Sequence, residues 1–193
     1  MSTRGLIGFK IDNKYKVMYN HSDSYPEWLG QRVVDFINNL EDIQKLKENA
    51  SKVILVEQLD EVDKDSEFIK KSPLLQEETE EDQSWYDILR NFQGIDIIEH
   101  VYNGDILVMH DDFDFFEDSL FMEYGYIINL DNETLDLYKG FNSKPISKNN
   151  PLYDVLGNED IKGYYPAKYI GSFSLKEKIK ENWMDIYKNK IKT

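Results

Sequence analysis

The residues best suited to chemistry stand together near the start of the chain, within residues 19–30. Asn20, His21 and Asp23 lie within four positions of one another, directly before a segment with helical periodicity. A histidine titrates near neutral pH, and a neighbouring carboxylate such as Asp23 can orient it for proton transfer. A helix start also attracts anions through its backbone N–H groups and its dipole. The pattern predicts a functional loop, with His21 and Asp23 as catalytic candidates and Asn20 as a ligand-binding one.

The same stretch also has the features of a simple helix start. Ser24 followed by Glu27 matches a capping box, and Pro26 suits the first helical turn. Loss of such a cap costs about 1 kcal/mol, which is reason enough for Ser24 without any catalysis. The pattern recurs at residues 84–87 and 174–177 and predicts helix starts there as well. Both interpretations stay open, because capping does not account for the other three side chains.

An enzymatic interpretation begins at Ser2. If Met1 is removed, the Ser2 hydroxyl could attack a substrate with its own α-amino group as base, as in N-terminal-nucleophile hydrolases. Arg4 could bind a substrate carboxylate through two parallel hydrogen bonds. The main expectation is a protein that binds a macromolecule or a small ligand. The alternative is an amidohydrolase that uses Ser2 with the loop at residues 20–23. It requires Ser2 to reach a cleft that contains this loop.

The other reactive side chains form no recognised signature. His110, Asp111 and Asp112 could join His21 as metal ligands, but their spacing matches no metal motif. The chain has no cysteine, which excludes disulfides, thiolate catalysis and cysteine-based zinc sites. It also lacks the glycine-rich sequence of a phosphate-binding P-loop. We therefore predict neither a metal nor a cofactor.

These side chains must be positioned by strands and helices that the apolar pattern predicts. The order of elements predicts a single α+β domain over residues 1–193, with a mainly antiparallel sheet, two hairpins and about three helices. Residues 60–83 are expected to form an exposed acidic connection that includes a short helix. The predicted elements are hairpins at residues 6–21 and 120–141, strands at 52–59, 95–101, 105–111 and 167–173, and helices at 26–40, 85–93 and 175–191.

The net charge of −14 is concentrated in two segments. Residues 57–82 contain eleven acidic and three basic residues, and residues 111–136 contain nine acidic and no basic residues. Direct contact with nucleic acid needs clustered Lys and Arg, so it is disfavoured. Aromatic side chains within an acidic rim suit docking onto a basic protein. The candidate interaction residues are Asp111, Asp112, Phe113, Asp114 and Phe116.

A phage protein that blocks a basic, nucleic-acid-binding partner would have this charge distribution. An acidic surface that only keeps an ordinary protein in solution is the alternative. The longest apolar runs are too short to span a bilayer. The first ten residues also lack the apolar segment of a signal peptide. We therefore expect a cytoplasmic protein without membrane contact.

Several short motifs follow one another along the chain in a recognisable order. Residues 3–9 read TRGLIGF, residues 19–30 read YNHSDSYPEWLG, and residues 85–94 read WYDILRNFQG. With residues 118–141 and 163–173, these motifs resemble a family of uncharacterised bacterial, phage and fungal proteins. The resemblance covers most of the chain except residues 57–82, and it implies no particular activity. It directs attention to Asn20, His21, Asp23 and Trp85, and to Thr3, Arg4, Arg90 and Gln93 as further ligand-binding candidates.

Overall fold

The computed structural model describes residues 3–78 and 83–192. The strands are β1 (Gly5–Ile11), β2 (Lys14–Asn20), β3 (Ile54–Val56), β4 (Val108–His110), β5 (Tyr124–Asn129), β6 (Thr134–Lys139) and β7 (Lys168–Ser174). Five of them form one sheet in the order β2-β1-β5-β6-β7. Within it β1 and β5 are parallel, and the other neighbouring pairs are antiparallel. The strands β3 and β4 form a separate parallel pair. The predicted α+β class with a mainly antiparallel sheet is confirmed.

Both predicted hairpins are present, and their turns contact each other. Asp12 and Asn13 join β1 to β2 with φ angles of 53° and 57°, the left-handed region that Asp and Asn tolerate best among residues with a side chain. The carboxylate of Asp131, in the turn between β5 and β6, accepts hydrogen bonds from the main-chain N–H groups of Asp12 and Asn13 at 2.8 and 3.0 Å. Asp131 of the second hairpin thereby holds the turn of the first hairpin in place.

The described part of the chain contains seven α-helical segments, more than the three predicted. In those residues no helix combines the length and apolarity needed to cross a bilayer. The predicted helix at 26–40 is a π-helical turn followed by α1, and the one at 85–93 is α5 followed by a 3-10 turn. The helices are α1 (Gln31–Asn38), α2 (Ile43–Lys52), α3 (Glu67–Lys71), α4 (Pro73–Glu78), α5 (Trp85–Leu89), α6 (Ile95–Asn103) and α7 (Trp183–Lys192).

Residues 95–101 were predicted as a strand and form the first part of α6 instead. Their β-branched residues favour a strand, but Ile95, Ile98 and Val101 are buried on one face at helical spacing. Gly104 ends the helix with a φ of 86°, a left-handed conformation that glycine adopts without strain. Tertiary burial and this C-terminal glycine therefore override the local β preference.

Helix α2 lies in a segment for which the pattern predicted no element. Its N-cap is Asp42, whose side chain accepts hydrogen bonds from the main-chain N–H groups of Gln44 and Lys45 at 2.9 and 3.0 Å. Leu46 and Ala50 lie one turn apart on its buried face. An aspartate followed by this spacing is a helix signal that sequence reasoning could have used.

The three predicted capping boxes have different outcomes. At residues 84–87 the main-chain N–H of Ser84 donates to the Asp87 carboxylate at 3.0 Å, and α5 begins there as predicted. At Ser174 no helix begins, although its hydroxyl accepts a hydrogen bond from the N–H of Lys176 at 3.1 Å. The last helix starts at Trp183 rather than at residue 175.

The segment before α7 is held in a non-helical conformation by a side chain of α1. The Asn38 amide donates to the carbonyl of Ile179 at 3.0 Å and accepts from its N–H at 2.8 Å. These are the main-chain groups that a helix at this position would use internally. The tertiary contact therefore replaces the predicted first turns of the helix.

Residues 60–83 were predicted to form an exposed connection with one short helix. Their described part contains α3 and α4, which bury Ile69 and Leu75 in the main core. The hydroxyl of Ser72, between the two helices, donates to the carbonyl of Asp105. The acidic composition predicted exposure, but two apolar residues at helical spacing anchor this segment.

The core lies on both faces of the sheet. Ile7 and Phe9 of β1 point toward the helices, whereas Leu6, the residue before Ile7, points to the opposite face. The second face is covered by Phe116 and by residues of the irregular segment 141–167, including Leu152. Because β1 is buried on both sides, the first hairpin is rigidly placed and its end can position a site.

Candidate functional site

The end of the first hairpin opens into a cleft of about 300 Å³, here named the hairpin-end cleft. Strand β2 brings Asn20 to it, and the segment between α5 and α6 brings Arg90 and Gln93. Residues that are distant in sequence therefore converge. Its lining residues are Asn20, Ser22, Asp23, Trp28, Leu29, Arg32, Arg90, Asn91, Gln93, Gly94, Ile95 and Asp96.

Asn20 and Ser24 hold the loop in shape. The Asn20 amide nitrogen donates to the Ser24 hydroxyl at 2.7 Å and to the carbonyl of Ser22. Ser24 is fully buried, its N–H donates to the carbonyl of Thr3 at 2.9 Å, and its carbonyl accepts from the Tyr126 hydroxyl. Ser24 thus fixes the loop to the sheet and makes no capping hydrogen bond to the following helix, so the predicted capping box is wrong.

The helical segment after this loop begins with an unusual turn. Pro26–Gly30 forms a π-helical turn preceded by Tyr25, a conformation often found at functional positions. It leaves the Trp28 side chain 54 % exposed at the cleft. Glu27 forms an ion pair with Lys188 of α7 rather than reaching back to Ser24. Sequence reasoning missed Trp28, although an aromatic residue outside the apolar stripe of the helix is a readable signal.

His21 lies beside the cleft, is partly exposed to solvent and contacts two aromatic rings. Its main-chain N–H donates to the Gln93 side-chain oxygen at 3.1 Å. Its imidazole ring meets the rings of Tyr19 and Tyr86 edge-on at centroid distances of 4.8 and 5.8 Å. Burial, and secondarily the charge of Arg90, lowers the pKa of His21. His21 therefore favours the neutral imidazole near pH 7.

A buried polar cluster lies behind His21, at the carboxyl ends of the parallel strands β3 and β4. The Asp112 carboxylate accepts from the N–H of Tyr19 at 2.7 Å and from the Gln58 amide. The His110 Nδ1 lies 3.8 Å from it, and both side chains are 3 % exposed. Burial raises the pKa of Asp112 and lowers that of His110. Asp112 therefore joins β2 to the small sheet and is not part of an exposed interaction surface.

The N-terminal candidates serve the fold. The Arg4 guanidinium donates to the carbonyl of Leu120 at 3.1 Å and lies 4.8 Å from the centre of the Phe121 ring. Thr3 contributes its carbonyl to the bond with Ser24 described above. Neither lines the hairpin-end cleft. Ser2, the candidate nucleophile, lies outside the described residues.

The charges around the hairpin-end cleft balance. Arg32 forms an ion pair with Asp96 at 3.1 Å, and the Arg90 guanidinium lies 5.3 Å from the centre of the Tyr86 ring. Asp23, with a φ of 55°, adds a second carboxylate. With two cations and two anions, the cleft can hold a small polar ligand but does not select its charge.

A second cleft of about 410 Å³, here named the acidic cleft, contains three of the predicted interaction residues. Asp111, Phe113 and Asp114 line it, together with Glu57, Tyr15 and one cation, Lys14. The rings of Tyr15 and Phe113 are 5.4 Å apart. Phe116, also predicted to interact, is fully buried in the core against Tyr138 and is unavailable to a partner.

Sequence reasoning missed Glu57, Tyr15 and Val155 in the acidic cleft. Glu57 belongs to the acidic segment at residues 57–82, but its proximity to Asp111 depends on the pairing of β3 with β4. Val155 comes from the irregular segment and is 61 % exposed. No local signal connects these residues.

In the residues that the structure describes, no group of three or more His, Asp or Glu side chains is arranged to hold a metal ion.

Comparison of the chain with protein-family models, with curated proteins and with solved structures gives no match.

Proposed function

We propose that the protein binds a basic partner protein through the acidic cleft, which receives Lys or Arg side chains of that partner. The observation that carries this proposal is that three carboxylates and one lysine line the same cleft as the ring pair of Tyr15 and Phe113, which leaves an excess of negative charge; the carboxylates are those of Glu57, Asp111 and Asp114. These residues come from three separate parts of the chain.

The chemistry of the cleft suits a guanidinium or ammonium group. A cation can contact the face of an aromatic ring and at the same time pair with a carboxylate at the rim. At exposed positions each of these contacts contributes only about 0.2–1 kcal/mol. Useful affinity therefore requires several of them together, which a basic segment of a protein can supply and a single free cation cannot.

Long-range attraction adds to these contacts. The net charge of −14 creates a field that attracts basic proteins and speeds their association. The natural class of partner is a nucleic-acid-binding protein, since such proteins carry the clustered Lys and Arg that neutralise phosphates. Occupation of that surface would block the partner's own binding, as expected for an inhibitor.

The acidic cleft supports a function better than the hairpin-end cleft does. The hairpin-end cleft has balanced charges and no aromatic pair within it, so nothing in it selects a ligand class. The alternative of an amidohydrolase depends on Ser2, which lies outside the described residues, and it stays a hypothesis.

The proposal is tested with a fluorescein-labelled hexapeptide of alternating arginine and lysine, whose binding is followed by fluorescence anisotropy at low and high salt. The double variant Asp111→Asn/Asp114→Asn is expected to weaken binding about tenfold at low salt, because two cleft charges are lost. Phe113→Leu, which keeps an apolar side chain but removes the ring, is expected to weaken it about threefold.

The matched control is Glu41→Gln/Glu181→Gln, which removes two exposed carboxylates outside the cleft. It is expected to weaken binding by about twofold or less, since it changes only the general field. Equal losses in the two double variants would mean that the peptide responds to net charge alone, and the cleft would then have no specific role.

A further inference from the structure

A third cleft has the opposite charge. Its volume is about 500 Å³, and four lysines line it: Lys139, Lys144, Lys168 and Lys192. In the described part of the chain no Asp or Glu lines this cleft. In a protein with a net charge of −14, four cations around one cavity are unexpected. This lysine cleft lies at the end of β6 and the start of β7.

Two of the lysines are neighbours on adjacent strands of the sheet. Lys139 of β6 and Lys168 of β7 are direct partners in the antiparallel register. Like charges at such positions are destabilising. A local rule broken in this way often marks a functional position, and an anion bound between the two lysine side chains would relieve the repulsion.

Phe141 forms part of the wall in a strained conformation. Its φ is 51°, a region in which a bulky residue is a genuine outlier. Its N–H is held by the carbonyl of Ser119 at 2.8 Å, yet its side chain is 40 % exposed. Such strain costs on the order of 1–3 kcal/mol and tends to persist where it serves a ligand.

The loop that carries Lys144 is fixed beside this ring. The Asn142 side chain donates to the carbonyl of Lys144 at 2.7 Å and accepts from its N–H at 3.3 Å. The Lys139 Nζ lies 5.3 Å from the centre of the Phe141 ring and donates to the carbonyl of Glu123 at 3.0 Å. The Lys139 ammonium group and the main chain of Lys144 are therefore fixed close to the exposed ring.

We propose that the lysine cleft binds a nucleoside phosphate. Lysine ammonium groups hold phosphate as point charges, and an exposed aromatic ring offers a stacking surface for a base. A volume of about 500 Å³ lies within the range of small-ligand sites. This site is separate from the acidic cleft, and it takes a ligand of opposite charge.

The test is a titration of the full chain with ATP, with inorganic triphosphate and with adenosine. Binding is measured by isothermal titration calorimetry and by NMR chemical shifts. ATP is expected to bind more tightly than triphosphate, and adenosine more weakly than either. Lys144→Gln and Lys168→Gln are each expected to weaken both ATP and triphosphate about three- to tenfold. Phe141→Leu is expected to weaken ATP about fivefold or more and to leave triphosphate unchanged.

Lys148→Gln is the matched control, because Lys148 is exposed in the same loop region but does not line the cleft. Equal effects of Lys148→Gln and Lys144→Gln would overturn the proposal, since binding would then reflect general charge. It would also be overturned if triphosphate matched ATP, if ATP did not bind, or if the only salt-dependent association were between copies of the protein itself. Failure here would leave the basic-partner proposal unaffected, because that test uses a different cleft.

Discussion

Lys16 is the clearest case of a charged residue that the fold uses internally. Its side chain is 8 % exposed. Its Nζ donates to the carbonyls of Ala50, Ser51 and Val53 at 2.9, 2.8 and 2.8 Å. These carbonyls lie at the end of α2, where the helix dipole is negative and carbonyl groups lack helical partners. Lys16 thereby joins the first hairpin to α2.

Replacement of Lys16 by methionine is expected to lower the free energy of unfolding by about 2–3 kcal/mol, because two buried carbonyls and one partly buried carbonyl lose a charged donor. Urea denaturation followed by circular dichroism measures this change. The neighbouring Lys14 is exposed, and Lys14→Met is expected to change stability by no more than about 0.5 kcal/mol. Similar values for the two variants would show that the hydrogen bonds to α2 contribute little.

At the scale of elements, Trp183 is one of two side chains, with Tyr187, that α7 buries in the core. Trp183 is fully buried, and its indole N–H donates to the Gln31 side-chain oxygen at 2.9 Å. A Cβ atom on Gly30 would lie 2.8 Å from the ring of Trp183 and 2.9 Å from that of Tyr126. The absence of a side chain at Gly30 therefore allows the last helix to pack against the helical segment after the first hairpin.

We expect Trp183→Ala to lower the free energy of unfolding by about 3–5 kcal/mol, since it creates a cavity and removes the anchor of α7. Thermal and urea unfolding provide the measurement. Asn189→Ala, at an exposed position of the same helix, serves as the control and should stay within about 0.5 kcal/mol of the parent. A small effect of Trp183→Ala would mean that α7 is held mainly by other contacts.

At the scale of the whole molecule, the charges are separated along the chain. Residues 57–82 and 111–136 carry the acidic excess, whereas residues 137–193 contain eleven lysines and six acidic residues. The acidic cleft and the lysine cleft are the local expressions of this separation. Repulsion within each region opposes folding and weakens when salt screens it.

The melting temperature is therefore expected to rise by about 2–4 °C between 10 mM and 300 mM sodium chloride, which corresponds to about 1 kcal/mol of relieved repulsion. Differential scanning calorimetry measures it. The variant Asp111→Asn/Asp114→Asn should show a smaller rise, because part of the repulsion is already gone. A melting temperature that falls with salt in the parent protein would mean that attractive ion pairs outweigh repulsion.

The sequence by itself determined the elements whose signals are local. The turn at Asp12–Asn13 and the capping box at Ser84 depend on neighbouring residues alone, and both are present as predicted. Asn20, Asp23, Arg90 and Gln93 were also named as candidates from motifs, and they line one cleft.

Only the tertiary structure decided which residues are exposed and which distant residues meet. Phe116 and Asp112 were both interaction candidates, yet the contact of β2 with the small sheet buries Asp112, and packing against Tyr138 on the second face of the large sheet buries Phe116. The meeting of Glu57 with Asp111 depends on strand pairing, as does that of Lys139 with Lys168. The physical reason is that burial and proximity come from contacts between distant segments, whereas turns and caps come from hydrogen bonds between neighbours.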